Sequence, residues 1–386
     1  RKYIGPVISL FTILICLVIL EILLRLFAPI SDPYGMKKAE GGQYIVSQFP
    51  SRYRIRTQVE KGLPGIEGDN VFTTNNMGFR GEDLLMPKPP DEFRIFILGG
   101  SSIECFYLDD SQAIHSVLQE ELNKHVSPRM KVKVYNAGKS GDFSVDHVAM
   151  ISHRIVHLHP DMIIVCSGVN DLTRAIYNFD YCLYGQKGSS ARRLTFFRLL
   201  KFLSTEFQIP RRIYYLIRKI SPKSDSQLLE EISSKSDYKK KVKLRMSVPA
   251  SNQKPRVDLA PYRENLKTIV GVCQVHNIRL ILVTQPTTWD SLVDPEIKNW
   301  QWMLYRNGVT YRADFMDEAM EKLNNVMRQV AADSSVPLFD LARTIPKSSE
   351  FFYDDAHFNV KGAYLSGMGL ASFILENKLM PMVGTQ

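Results

Sequence analysis

Ser101 follows two glycines at the end of a short apolar run, and Asp354-Asp355-Ala356-His357 forms a polar cluster near the far end of the chain. A hydroxyl, an imidazole and a carboxylate can carry out acyl transfer if the fold unites them. The imidazole takes the serine proton as the oxygen attacks a carbonyl, and the carboxylate holds the ring in the required tautomer. Each signal alone is weak, because Gly-Ser turns are common and an isolated surface histidine is usually structural. Gly99 and Gly100 let the backbone turn sharply, so that a serine can project beside free amide donors. Ser102 is the rival nucleophile. Two more glycine-containing polar clusters follow apolar runs in the same way: N-A-G-K-S-G-D-F-S at 136–144 and S-G-V-N-D at 167–171.

The other histidines (115, 125, 147, 153, 157, 159 and 276) fall in helical or flanking positions and are assigned no chemistry. No H-E-x-x-H, P-loop or G-x-G-x-x-G pattern is present, so neither a metal nor a nucleotide cofactor is expected. The G-x-S-x-G elbow of α/β-hydrolases is also missing.

These clusters need elements to hold them. Short runs rich in branched apolar residues predict strands at 95–98, 132–135, 161–166, 278–283 and 336–340. Between them, helical spacing is found over 112–125, 145–158, 262–276 and 315–331, with an apolar helix from 363 to about 379. Strand-helix alternation of this kind predicts a parallel sheet, and each polar cluster follows a strand's carboxyl end, where open α/β sheets bind ligands. Residues 289–310 hold Trp289, Trp300, Trp302, Tyr305 and Arg306, a candidate substrate-side loop whose aromatic residues are equally consistent with core.

The remaining segments suggest location. No charge interrupts Tyr3 to Leu20, and roughly 20 apolar residues cross a bilayer. Residues 4–24 are therefore expected to be a retained transmembrane anchor in the lipid bilayer rather than a cleaved leader, with the globular part extracytoplasmic, in the periplasm or at the cell surface. Residues 28–92 read as a connector packing on the main domain, with a tight loop at 73–81. From Lys187 to Lys219 nine Lys/Arg accompany one acidic residue among aromatic and aliphatic side chains. This reads as a basic helical insertion, packing internally, meeting a membrane protein partner or lying on a lipid surface. Residues 220–251 read as a solvated connection. The formal charge of +9 does not by itself imply nucleic acid, and none is expected as a partner. Five scattered cysteines suggest no disulfide framework.

Taken together, L-G-G-S-S, N-A-G-K-S-G-D, S-G-V-N-D and D-D-A-H resemble the four blocks of the SGNH, or GDSL-type, esterase superfamily, in the same order. The resemblance covers roughly 93–175 and 262–375. It implies an α/β, flavodoxin-like three-layer sandwich with a central parallel sheet, here with the N-terminal transmembrane helix and the basic insertion added. It also implies roles: Ser101 as nucleophile, Gly141 and Asn170 as oxyanion donors beside the Ser101 N–H, and Asp354 with His357 completing the triad. The first block departs from G-D-S in carrying Gly100 for Asp, a variation seen among membrane-attached members. Cys105 stands where many members have glycine.

The implied organisation is an anchor (1–27), a connector (28–92), a first SGNH half (93–175), the insertion (176–258) and a second half (259–386). The implied function is a membrane-anchored serine ester hydrolase removing acyl groups, acetyl foremost, from a cell-surface glycan or similar carbohydrate ester. An O-acyltransferase acting on an extracytoplasmic polysaccharide and a catalytically silent structural subunit of a membrane complex are the alternatives.

Overall fold

The computed structural model describes residues 4–29, 49–176, 203, 207–220, 238–306 and 308–381. The chain forms two compact units, 1–45 with 183–233 and 46–182 with 234–386.

In the first unit the apolar N-terminal stretch folds as helix α1 (Ile4–Phe27), which corrects the expected anchor at 4–24. Among the described residues no helix is long and apolar enough to cross a membrane. The apolar run ends in charge: Arg25 Nε lies 2.8 Å from Glu21 Oε1. The Glu21 carboxylate also accepts from the backbone N–H groups of Gln208 and Ile209, at 2.7 and 2.9 Å. Charges inside a spanning segment would be costly in hydrocarbon. The transmembrane part of the fold, the membrane-anchored family and function readings, the bilayer and membrane-protein partners and the single-pass, extracytoplasmic placement are all withdrawn with the anchor. Of the basic insertion at 187–219, only 203 and 207–219 lie within the described residues; the rest lies outside them, as does Cys182.

The second unit is an α/β sandwich. Its central sheet contains strands Glu92–Gly99 (β3), Lys131–Asn136 (β4), Met162–Cys166 (β5), Arg279–Val283 (β7) and Leu338–Phe339 (β10). They are ordered β10-β7-β5-β3-β4, with every neighbouring pair parallel. Counted within this sheet the order is 2-1-3-4-5, the flavodoxin-like arrangement, whose switch point lies between β3 and β5. Smaller strands lie outside it: β1 (Arg54–Gln58) pairs with β2 (Asp69–Thr73), and β6 (Ala250–Ser251), β8 (Tyr305–Arg306) and β9 (Val309–Tyr311) form a third sheet.

Side-chain alternation along β3 explains the layers. Ile95 and Ile97 enter one core with Ile164, Ile281 and the C-terminal helix residues Leu370 and Ile374. Phe96 and Leu98 enter the other with Ile163, Val165, Leu266 and Met327. Period-two alternation delivers apolar side chains to both faces, as a sheet covered on both sides requires. Arg94 breaks the apolar run yet is fully buried, because its guanidinium donates to the Leu158 and Leu85 carbonyls at 2.6 and 2.9 Å and to Glu92 Oε1 at 2.6 Å.

The end of the stretch read as a solvated connection is instead a helix, Tyr238–Ser247. Its first residue is buried among Tyr107, Trp302 and Tyr353, with ring centroids 6.0–6.2 Å apart. Aromatic packing from distant segments outweighs the lysine-rich local composition.

Candidate active site

β3 ends at Gly99, and Ser101–Glu104 form a single helical turn closed by Cys105 at φ 51°. Left-handed backbone disfavours any residue that carries a Cβ, so Cys105 adopts it at a cost that glycine would not bear. The Cys105 side chain is buried, donates to the Ser102 carbonyl at 3.3 Å, and has its thiol pushed up to about 11 by burial. The two serines diverge. Ser102 is buried and donates to Gln285 Oε1 at 3.2 Å, whereas Ser101 Oγ lies 2.6 Å from His357 Nε2.

His357 sits in a loop closed by the Phe352–Phe358 bridge, with the Tyr353 ring stacked on it at 5.3 Å and 7°. Its Nδ1 lies 2.7 Å from both oxygens of Asp354. Asp354 Oδ1 also accepts the backbone N–H groups of Ala356 and His357 at 3.0 Å, and Oδ2 accepts the Trp302 indole N–H at 3.0 Å. Burial pushes the Asp354 carboxyl up, but the His357 charge and these donors outweigh it and hold it below its ordinary range. Burial likewise pulls His357 down, and the charge and hydrogen bond of Asp354 more than reverse this, leaving it raised. A carboxylate on Nδ1 selects the tautomer whose Nε2 can accept a proton from Ser101.

Neighbouring Asp355 is tied down differently. Fully buried, it accepts from Trp289 Nε1 at 2.6 Å and from the backbone N–H groups of Trp302 and Met303 at 2.7 and 2.9 Å. Burial, reinforced by Asp354, raises its carboxyl to about 6.

The other two clusters meet at the β3 end. Gly141 has φ 85°, a conformation open to glycine at little cost. Asn170, in helix Val169–Ile176, directs its side-chain N–H to the Asp142 carbonyl at 2.8 Å, and an amide nitrogen has a second N–H to offer. Asp171 points inward and accepts from Ser144 Oγ at 2.5 Å and Ser167 Oγ at 2.8 Å, with burial raising it to about 6. It braces the cluster. Asn136 Nδ2 donates to the Ile103 carbonyl at 2.6 Å, and its Oδ1 accepts from Gly138 N at 2.8 Å, joining the second cluster to the serine turn.

The structure thus brings Ser101, Asp354 and His357 into one hydrogen-bonded chain, and Asn170 against the Gly100 side of the same turn. Three supporting residues escape a reading of the sequence. Arg80, inside the loop taken as connector, donates to the carbonyls of Glu104, Cys105 and Leu108. Glu104 is buried and bonded to the Ser140 hydroxyl. Trp302 serves Asp354 directly. Only the Trp302 loop carried a signal, its density of aromatic residues. Among the described residues no cluster of His, Cys, Asp or Glu could hold a metal ion.

No curated protein matches the chain. Solved structures to which the chain is similar include Axe2, an acetylxylan esterase from Geobacillus stearothermophilus, at 14% identity over 77% of this chain and 98% of that one, with a TM-score of 0.40. The lipase/acylhydrolase from Enterococcus faecalis is 17% identical over 74% and 96%, with a TM-score of 0.39. A GDSL-like lipase from Bacteroides thetaiotaomicron is 10% identical over 77% and 93%, with a TM-score of 0.40. The family model for GDSL-like Lipase/Acylhydrolase matches residues 97–365, most of the chain. The chain therefore belongs to the GDSL-like lipase/acylhydrolase family and is, at the level of that family, an enzyme of the serine-hydrolase type.

Proposed function

We propose that this chain is a serine ester hydrolase in which Ser101 attacks the acyl carbonyl, His357 is the general base and Asp354 orients and charges the base. The observation that carries the reading is the continuous chain Asp354–His357–Ser101, with contacts of 2.7 and 2.6 Å. As the Ser101 Oγ–C bond forms, the hydroxyl proton moves to His357 Nε2 and the carbonyl π electrons move to oxygen. The N–H groups of Ser101 and Gly141 and the second amide N–H of Asn170 receive that oxyanion. The tetrahedral adduct then collapses, the alcohol leaves with the proton from His357, and water repeats the sequence to release the acid.

Donors aimed at charge that appears only in the transition state lower the barrier, by about 2.7–4 kcal/mol for one side-chain donor. The test pairs a fluorophosphonate probe with hydrolysis of an activated acetyl ester. Wild type is expected to label and to release acid, and Ser101→Ala to do neither. Labelling or turnover undiminished in Ser101→Ala would remove Ser101 as nucleophile.

A further inference from the structure

Trp302 lies in the aromatic loop that the catalytic roles leave unused, and its backbone and indole N–H groups both go to the paired aspartates. We infer that Trp302 is a positioning residue for the acyl-transfer site, its indole N–H fixing Asp354 Oδ2 so that the carboxylate stays aligned with His357 Nδ1. This rests on the serine-ester reading above.

Asp354 is fully buried, so its lone pairs must be satisfied by protein donors. Oδ1 receives two backbone N–H groups besides the imidazole, while Oδ2 receives the Trp302 indole at 3.0 Å. Without that donor Oδ2 would keep only the imidazole among these bonds, and the carboxylate could swing about its Cβ–Cγ bond. Trp302 is itself held at several points. Its backbone N–H and that of Met303 donate to Asp355 Oδ2, whose partner oxygen accepts from Trp289. Tyr238 meets its ring edge-on at 6.2 Å. Lys241 Nζ lies 4.0 Å and Arg306 Cζ 5.4 Å from its ring centroid.

The charged groups acting on His357 come from three segments: Asp354 and Asp355 from its own loop, Lys241 from the Tyr238–Ser247 helix and Glu104 from the serine turn. Tyr353 and Tyr238 border them, and Arg306 and Arg245 act on Asp355. Trp302→Phe removes the indole donor while keeping an aromatic face for Lys241. The carboxylate is then free to turn away from Nδ1, the imidazolium loses part of the stabilisation that Asp354 gives it, and the acid limb of kcat/KM moves to lower pH.

The experiment compares wild type, Trp302→Phe and Trp300→Phe by the pH profile of kcat/KM, by NMR titration of His357 and by thermal melting. Trp302→Phe is expected to lower the His357 titration and the acid limb together and to reduce the kcat/KM plateau on the order of tenfold, the scale of one lost hydrogen bond to a charged group. Trp300→Phe is expected to move neither. An unshifted His357 titration in Trp302→Phe would overturn the inference, whether or not the melting temperature falls. If wild type neither labels nor turns over ester, the serine-ester reading fails, while the NMR titration still decides whether Trp302 acts on the pair.

Discussion

Gly100 and Asn170 approach so closely that a Cβ on the glycine would lie 2.5 Å from the amide nitrogen of Asn170, and 3.3 Å from the Asp142 carbonyl oxygen. The position that reads as a departure from G-D-S is thus one where this chain has no room for a side chain unless Asn170 moves. The Asn170 amide is the end of a short side chain and can shift, but a shift removes it from the place where the oxyanion would form.

Gly100→Ala is therefore expected to lower kcat by about tenfold or more, approaching the loss of roughly 10²–10³ expected for Asn170→Ala. Melting temperature should change little. The double variant decides the route. If Gly100→Ala acts through Asn170, combining the two adds no further loss, whereas independent effects would multiply.

The raised His357 fixes the sign of the pH dependence. The base works only when neutral, so kcat/KM should rise with pH through a limb lying above the ordinary imidazole range, because Asp354 stabilises the protonated ring. Asp354→Asn removes that charge and favours the wrong tautomer. The limb should move to lower pH while the plateau falls by about 10⁴, as in other triads of this type. A profile for Asp354→Asn matching wild type in limb and height would show that the pair does not operate as drawn.

Glu104 gives a stability prediction in the same units. Burial raises its carboxyl to about 7, against bonds from Ser140 and the charge of Arg80 that pull it back. Below the unfolded value of 4.5, the side chain is protonated folded or unfolded and its contribution is fully present. Between 4.5 and about 7 the unfolded chain releases the proton while the folded chain keeps it, so stability falls as pH rises. The loss is on the order of 3 kcal/mol when complete. Asp171 and Asp355, raised to about 6, contribute in an overlapping window with the same sign. Glu104→Gln should therefore reduce the downward slope in urea-unfolding free energy between pH 5 and 7, without abolishing it. An unchanged slope would mean that Glu104 ionises normally in the folded protein.

The parts of the site legible in the sequence are those whose chemistry and backbone signal coincide within a few residues. Gly99-Gly100-Ser101 ends an apolar strand, Asn170 follows Ser167-Gly168 at the next strand end, and Asp354 precedes His357 by one turn of loop. That the sheet is parallel was legible for a similar reason, since strand-helix alternation places a crossover between successive strands. The supporting residues were not, because each acts across a long separation: Arg80 on Cys105, Trp302 on Asp354, Tyr238 on Tyr353. Nothing local to Y-K-K-K-V-K-L-R-M-S marks it as a helix against the site. Its placement depends on aromatic rings contributed by other segments. The apolar run at the N-terminus misled for the opposite reason, as hydropathy alone ignores the partners that Glu21 finds at Gln208 and Ile209.

Arg80 provides the last prediction. Its backbone pairs with Asn136 in both directions, at 3.0 and 2.9 Å, which fixes where the side chain begins. From there the guanidinium reaches the carbonyls of Glu104, Cys105 and Leu108 at 2.8–3.0 Å and Asp110 at 2.6 Å, with the Phe72 ring 4.5 Å beneath it. The Glu104 carbonyl belongs to the turn that carries Ser101, the Cys105 carbonyl to the left-handed residue that ends it, and the Leu108 carbonyl lies three residues further on. Arg80→Met keeps the apolar stem but leaves these acceptors without their donor, and should destabilise the fold by about 3–5 kcal/mol. Arg80→Lys restores charge without the planar fork, so it should recover only part of the loss. Because the turn loosens as well, kcat measured well below the melting temperature should fall for both variants, Met more than Lys. A full kcat in folded Arg80→Met would separate the two roles and leave Arg80 as a brace for stability alone.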